Sequence, residues 1–495
     1  MSLSTAAPLT ILHTSDWHLG RRLYGHQRYD EFVTFLNWLT DTIVNQQVDV
    51  LIVAGDIFDT MTPSNRAQAL YYEFLGTVSK SCCQHVVIVA GNHDSPSFLD
   101  APSQLLKSLN VHVIGTACEN VSDEVLVLHD GSGVPYCIIA AVPYLRDRDV
   151  RSSVAGESAK SKDDNVVQGI RQHYDAVAQA AHVQQRALHA KHHHHIPIIA
   201  TGHLFAAGGS TTDDDGVREL YVGNLGKISA DMFSSHFDYV ALGHLHVPQK
   251  VGGCEHIRYS GSPIAMGFGE ARQQKQVIFI QFGDNNPLHQ QKLLTPEKAY
   301  INSNKNHHDG YIDDLFGFEE SDQSAQKYNH NEATQSDSDI AIDINTDIVT
   351  NPTKNMSVKN MSVTAYSIPS FQALAQITGD LDVIKAQIQT QSTRNTSVWL
   401  EVVYTGHEVV SGLREQIHEM VAGTQLLVLK IQNKTQYNKT LAQTSMTETL
   451  QDLSTEEVFE RCLLIHNVDE GQKSSLRDAY AHIIHEMSHE DYNAE

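Results

Sequence analysis

The sequence predicts an α/β fold organised on a parallel sheet, and three observations carry that reading. The run from Val48 to Ala54 is short and apolar, then stops at Gly55, Asp56 and, three residues on, Asp59. A strand covered on both faces carries nothing polar along its length, so its chemistry has to sit at its C-terminal end. The pattern recurs: apolar runs that begin at Ile11, Val86, Ile198 and Tyr239 end in Asp16 and His18, in Asn92, His93 and Asp94, in His203, and in His244 and His246. Helical stretches alternate with these strands, as the spacing of Phe32, Phe35, Leu36, Leu39 and Ile43 shows. Strand, helix, strand, helix, strand is the doubly wound signature.

Taken in order, the first strand and its Asp16/His18 loop lead to a helix over 28–46, strand 48–54, and a second helix from about Ser64 to Ser79, with Pro63 as its pre-set first-turn residue. Strand 86–90 follows. Val111 to Pro143 reads as short strands punctuated by glycine, 165–190 as a polar helix, 196–201 as a strand, and 236–285 as further strands with turns at Gly252-Gly253 and Gly261 to Pro263. Residues 1–300 therefore form one large domain. Residues 301–363 are rich in Asn, Ser and Asp, among them Asp313, Asp314, Asp337 and Asp343, and have the composition of a disordered insertion. Residues 364–440 predict a small α+β unit, with strands 398–404 and 426–431 and helices near 381–389 and 409–421. In 441–495, Ser454 and Glu457 have capping-box spacing and Leu453 can staple onto Val458, while Leu476, Tyr480, Ile483, Ile484 and Met487 form one stripe. Two short amphipathic helices cannot fold alone, so they need cover from the body of the protein or from a partner.

At 495 residues the chain exceeds one core, and two or three domains are expected. The formal charge is 35 − 59 = −24, which argues against a passive nucleic-acid binder held by phosphate neutralisation, although a bound metal pair would reverse the sign locally. The six cysteines show no C-x-x-C pairing, and the opening residues lack a basic start and an apolar run. These features predict reduced thiols, no membrane span and a cytoplasmic protein.

Asp16, His18, Asp56, Asn92, His203, His244 and His246 are a set of oxygen and imidazole ligands without a thiolate. Such a set favours Mn²⁺ or Fe²⁺, with Mg²⁺ a further candidate, over structural Zn²⁺. Seven ligands are too many for one ion. Two ions about 3.5–4 Å apart, bridged by one carboxylate, use them economically, and such a pair can polarise a phosphoryl oxygen while holding a hydroxide in line. A lone histidine at a strand end is ordinarily a cap or a gap-filler, but five strand ends carrying this set together are not. The run His192 to His195 is read as a solvated loop rather than a working metal site. Arg21, Arg22, Arg146, Arg148 and Arg151 follow strand ends, where they can meet phosphates or serve as ordinary surface charge.

Asp16-x-His18, Gly55-Asp56-x-x-Asp59, Gly91-Asn92-His93-Asp94, Gly202-His203 and Gly243-His244-x-His246 together resemble the ordered signature of the calcineurin-like metallophosphoesterases. Within that superfamily the chain is similar to the SbcD nuclease subunits, through His13 to Gly20, Ala54 to Thr60, Ile199 to His203, Tyr259 to Pro263 and Leu453 to Phe459. The likeness covers 9–300 and, more weakly, 364–490. It implies a four-layer metallophosphoesterase sandwich with a small α+β capping domain that binds DNA and C-terminal helices that bind a partner. It places the first of two Mn²⁺ ions on Asp16, His18, Asp56 and His246, and the second on Asp56, Asn92, His203 and His244. It makes His93 the residue that contacts the scissile phosphate and helps the leaving oxygen depart, with Asp94 orienting its ring. Asp59 is a departure, since some relatives carry histidine there, and the 302–362 insertion is another. The activity implied is 3′–5′ exonuclease cleavage at duplex DNA ends and endonuclease cleavage of hairpins and single strands, in recombination, repair and replication. The partners implied are an SbcC-like ATPase, in a heterotetramer with two SbcD subunits, and a second copy of the chain. Two other readings compete. A phosphatase of the superfamily typically places an arginine shortly after the Gly-Asp motif, where Ile57 to Met61 stands here. A non-catalytic protein that tethers DNA predicts an eroded ligand set, and this set is whole.

Overall fold

The structure is a computed structural model, and it describes residues 9–151, 158–206, 228–283, 361–393, 396–408 and 410–434, with single residues between 459 and 480. Two six-stranded sheets form its centre. The first contains β1 (Leu9–Thr14), β2 (Val50–Ala54), β3 (His85–Val89) and β4 (Val111–Ile114) in parallel, with α1 (Tyr29–Asn45) and α2 (Asn65–Val78) between them. The second runs from β5 (Val125–His129) through β6 (Pro135–Ala140), β7 (Ile198–His203), β8 (Tyr239–Gly243) and β10 (Ile257–Tyr259) to the short edge strand β9 (Gln249–Lys250). β11 (Gln276–Phe282) returns to the first sheet and pairs antiparallel with β1.

The sheets meet face to face over Ile11, Ile52, Val87, Ile139, Ile199 and Ala241, all buried. The outer face of the first sheet is covered by Phe32, Phe35, Leu39, Phe74 and Leu75 of α1 and α2. The outer face of the second is covered by Val166, Ile170, Tyr174 and Val177 of a long helix, Ala159–His192. Helix, sheet, sheet, helix is the four-layer arrangement the family resemblance implies. Strands buried on both faces explain why the local sequence reads as continuous apolar runs.

Three expectations need correction. Pro63 lies outside α2; Ser64 is its cap, accepting from Ala67 N at 3.2 Å, because a serine hydroxyl satisfies an amide that proline cannot. The expected boundary at 363/364 runs through a strand: β12 (Met361–Ser367) pairs antiparallel with β11, Phe282 opposite Met361, and so belongs to the first sheet. The α+β unit itself begins with β13 (Ala373–Gly379), a strand the sequence reading passed over, followed by a helix Leu381–Ser392, β14 (Val398–Tyr404), a helix Leu413–Val421 and β15 (Leu426–Asn433). Its three strands are parallel, and both helices pack on Ile377, Leu400 and Val402. Most of the 301–363 insertion and the Leu453 capping box lie outside the described residues. Among the described residues no helix is long and apolar enough to cross a membrane.

Candidate metal centre

The C-terminal ends of β1, β2 and β3 lie side by side in one sheet, and those of β7 and β8 face them from the other. The loops beyond are tied by main chain: Asp16 N donates to Gly55 O at 3.0 Å and His18 N to Asp56 O at 2.9 Å. Two glycines let the strand ends approach, Gly243 between the sheets and Gly91 within the first. A Cβ on Gly243 would stand 1.9 Å from the Ala54 carbonyl oxygen, and one on Gly91 2.2 Å from Asp56 Oδ1. Asp16, His18, Asp56 and His244 all have positive φ, a conformation that costs energy and aims their side chains inward.

All seven expected ligands meet in one buried cluster. On one side, His18 Nε2 and His246 Nε2 lie 3.1 Å apart, with Asp16 within reach of both. On the other, Asn92 Oδ1 lies 2.9 Å from His203 Nε2 and 3.2 Å from His244 Nδ1. Asp56 Oδ2 stands between them, 3.4 Å from His18 Nε2 and 3.4 Å from His203 Nε2. Asp16 accepts from Ser15 Oγ at 2.5 Å and from His244 N at 2.9 Å, so its carboxylate is fixed. The donor set fits divalent cations: nitrogen lone pairs face one another with no cationic side chain between them, an arrangement that is costly without a shared cation or proton. Burial pushes the His18 imidazole down to about 4, so it is neutral, as a ligand must be. Burial would also lower His203, but Asp56 outweighs it and lifts His203 to about 9; the same pairing holds Asp56 well below the usual carboxylate range despite its burial.

His93 lies at the rim of this cluster, its ring edge-on to His18 at 4.8 Å between centroids. Its backbone N–H donates to Asp56 Oδ1 at 2.9 Å and its Nδ1 lies 2.8 Å from the Asp59 carbonyl oxygen. Asp94 does not orient that ring, contrary to expectation. Its carboxylate, fully buried, accepts from the main-chain N–H of Ile57 (3.1 Å), Phe58 (2.9 Å) and Gly91 (2.8 Å) and so binds the loop after β2 to the loop after β3. Asp59 instead faces His18 Nδ1 at 3.4 Å and pairs with Arg21 at 3.3 Å.

The sequence reading missed Glu270 and Lys275, a buried ion pair behind His246. The nearby Tyr259 to Pro263 motif was its only signal. The histidine run is not a plain loop: His192 ends the long helix, His193 caps it in a left-handed conformation, and His194 Nε2 lies 3.1 Å from the Pro135 carbonyl oxygen. Of the five arginines, Arg21 and Arg151 are held by Asp59 and Asp147, while Arg148 is exposed.

Residues 9–248 match the calcineurin-like phosphoesterase model, and residues 370–467 match one described as type 5 capsule protein repressor C-terminal domain. The chain is 30% identical to the D subunit of the SbcCD nuclease of Escherichia coli K12 over 488 residues, 97% of this chain and 99% of the relative. It is 33% identical to the corresponding protein of Bacillus subtilis over 276 residues (55% and 66%), and 34% identical to that of Rhodobacter capsulatus over 289 residues (57% and 68%). With a phosphoesterase signature complete in its buried centre and a relative matched along nearly its whole length, the chain belongs to the family of the D subunits of the SbcCD nuclease.

Proposed function

We propose that the chain is a two-metal DNA nuclease, with Asp16, His18, Asp56 and His246 holding one Mn²⁺ and Asp56, Asn92, His203 and His244 the other. The observation that carries this is the position of Asp56 Oδ2, 3.4 Å from an imidazole of each set, so that one carboxylate serves both. The oxygen and imidazole donors suit Mn²⁺, with Mg²⁺ and Fe²⁺ as the other candidates. When bound, such a pair neutralises phosphate charge and activates water for in-line attack. The chain's own residues do the rest. Asp59 O, accepting from His93 Nδ1–H, orients the ring so that Nε2 meets the scissile phosphate; with a second proton on Nε2, the doubly protonated ring passes that proton to the departing oxygen and is left as the neutral Nδ1–H form. Asp94 keeps His93 and Asp56 in register by holding their two loops together.

In this reading the chain cleaves duplex ends 3′–5′ and opens hairpins, as one of two copies working with an SbcC-like ATPase. The β13–β15 unit meets DNA and the residues beyond 441 meet the ATPase. The five cysteines among the described residues are all free, which suits a cytoplasmic setting. Digestion of end-labelled duplex and hairpin DNA with Mn²⁺, with and without the ATPase and ATP, tests it. Shortening from 3′ ends and nicking near the hairpin tip are expected; failure on both substrates while a small phosphomonoester is hydrolysed would favour a phosphatase.

A further inference from the structure

Behind His246 lies a buried acid whose two oxygens have different surroundings. Glu270, in the turn Phe268–Glu270, accepts at Oε2 from Met266 N (3.0 Å), from Ser262 Oγ (3.4 Å) and from the Lys275 ammonium. Its Oε1 has no hydrogen-bond partner among the described residues and lies 3.6 Å from His246 Nδ1, which is buried and equally unpartnered. The other nitrogen of that imidazole, Nε2, is the one that faces His18 at 3.1 Å. Lys275 also donates to the His246 carbonyl oxygen at 3.2 Å, so one ammonium ties the backbone of the histidine to the acid behind its ring. Buried polar atoms left unmade are costly, and a movement of about half an ångström joins these two. A histidine that binds metal through one nitrogen ordinarily gives its other N–H to a carboxylate, which fixes tautomer and ring plane.

The turn that carries Glu270 is in turn gripped by the third sheet. Phe268 is buried in a small cluster with Leu23 and Trp399 of β14. Tyr24 stacks on Phe268 at 5.5 Å, Lys430 of β15 lies 3.0 Å from the Tyr24 hydroxyl, and His26 meets Trp399 edge-on at 4.6 Å. Leu23, Tyr24 and His26 belong to the loop that leaves the ligand His18.

We propose that Glu270 is a positioning residue that aims His246 at the first ion, and that Trp399 of the β13–β15 unit holds Glu270 in place, so that occupancy of that ion depends on how the unit is seated. This rests on the two-ion reading above. The test is Mn²⁺ binding to the full chain, followed by equilibrium dialysis and by the paramagnetic resonance of free Mn²⁺. Because removing Glu270 alone strands a buried lysine, the variant is Glu270→Gln with Lys275→Met. Wild type should bind two ions. The paired variant should bind one as wild type does and the other roughly 10–100-fold more weakly, and in a His246→Ala background it should cause no further loss. Trp399→Ala should weaken the same ion by a smaller factor, and Trp399→Phe should recover most of it. Wild type that fails to bind two ions overturns the two-ion reading itself. If wild type binds two, unchanged affinities in the paired variant, or further weakening in the His246→Ala background, overturn the role of Glu270. Unchanged affinities in Trp399→Ala overturn the link to the third sheet.

Discussion

His93 Nδ1 is committed to the Asp59 carbonyl oxygen at 2.8 Å, and the proposed mechanism assigns Nε2 to the reaction. His93→Leu should therefore keep two ions and bind DNA almost as wild type, while cleavage slows by roughly 10²–10⁴; metal content, melting temperature and rate on one preparation check it, and lost metal or an unchanged rate refutes it. Asp94→Ala should behave in the opposite way. It strands three buried amides at about 1–3 kcal/mol each, so the denaturation midpoint should fall before any effect on chemistry can be isolated. His203 supplies a third expectation. Its folded value of about 9 means that a cation must displace a proton, so Mn²⁺ affinity should rise about tenfold per pH unit up to about pH 9 and then level off, as a pH series of binding titrations will show. At this scale the clustering of the seven expected ligands was legible because each closes an apolar run, a pattern visible along the chain. The role of Asp94 and the presence of Glu270 were not: Asp94 binds main-chain amides and Glu270 a main-chain amide and Lys275 behind His246, and no spacing records such pairings.

The elements were legible where burial is two-sided. β1, β2, β3, β7 and β8 are buried throughout or nearly so; β2 reads as an unbroken apolar run, β8 and β3 nearly so, and β1 and β7 as largely apolar ones. β12 and β13 are only partly buried, with Ser, Thr, Ala and Gln among their residues, and so carry no such run. The position of β12 matters for any shortened chain. Replacing 302–362 removes Met361 and Ser362 from their pairing with Phe282 and Gln281, whereas the segment 284–360 joins two strand ends that are already adjacent. A hairpin-length turn of about four residues can close that gap. The chain with 284–360 so replaced should fold, bind Mn²⁺ and cleave DNA as the full chain does, with DNA binding strengthened at low salt by the loss of acids. A folded deletion variant that loses activity shows the segment to be a working part.

At the scale of the molecule, the centre lies where two sheets converge, and the strand-end motifs point there only because the fold brings β7 and β8 over β1, β2 and β3. The C-terminal region shows the reverse situation, in which local pattern was clear and placement was not. Apolar stripes around Phe459 and Tyr480 called for cover, and the structure provides part of it from within: the two rings stack at 4.0 Å, and Arg477 pairs with Glu460 at 2.7 Å. Leu463 is buried while Leu476 is 40% exposed. An exposed leucine near this stacked pair suits an apolar groove on a partner. Among the described residues, the cluster around the candidate metal centre includes none beyond 433, and the contacts of Phe268 and Tyr24 with the third sheet are to Trp399 and Lys430. Deleting the chain from Gln451 onward should then abolish co-purification with the ATPase while two Mn²⁺ ions and ATP-independent cleavage survive. Leu476→Glu should weaken the same association without unfolding the pair, because a charge is carried into the groove at a position that is open in the free chain. Full stoichiometry with the ATPase in the truncated chain would place the interface elsewhere.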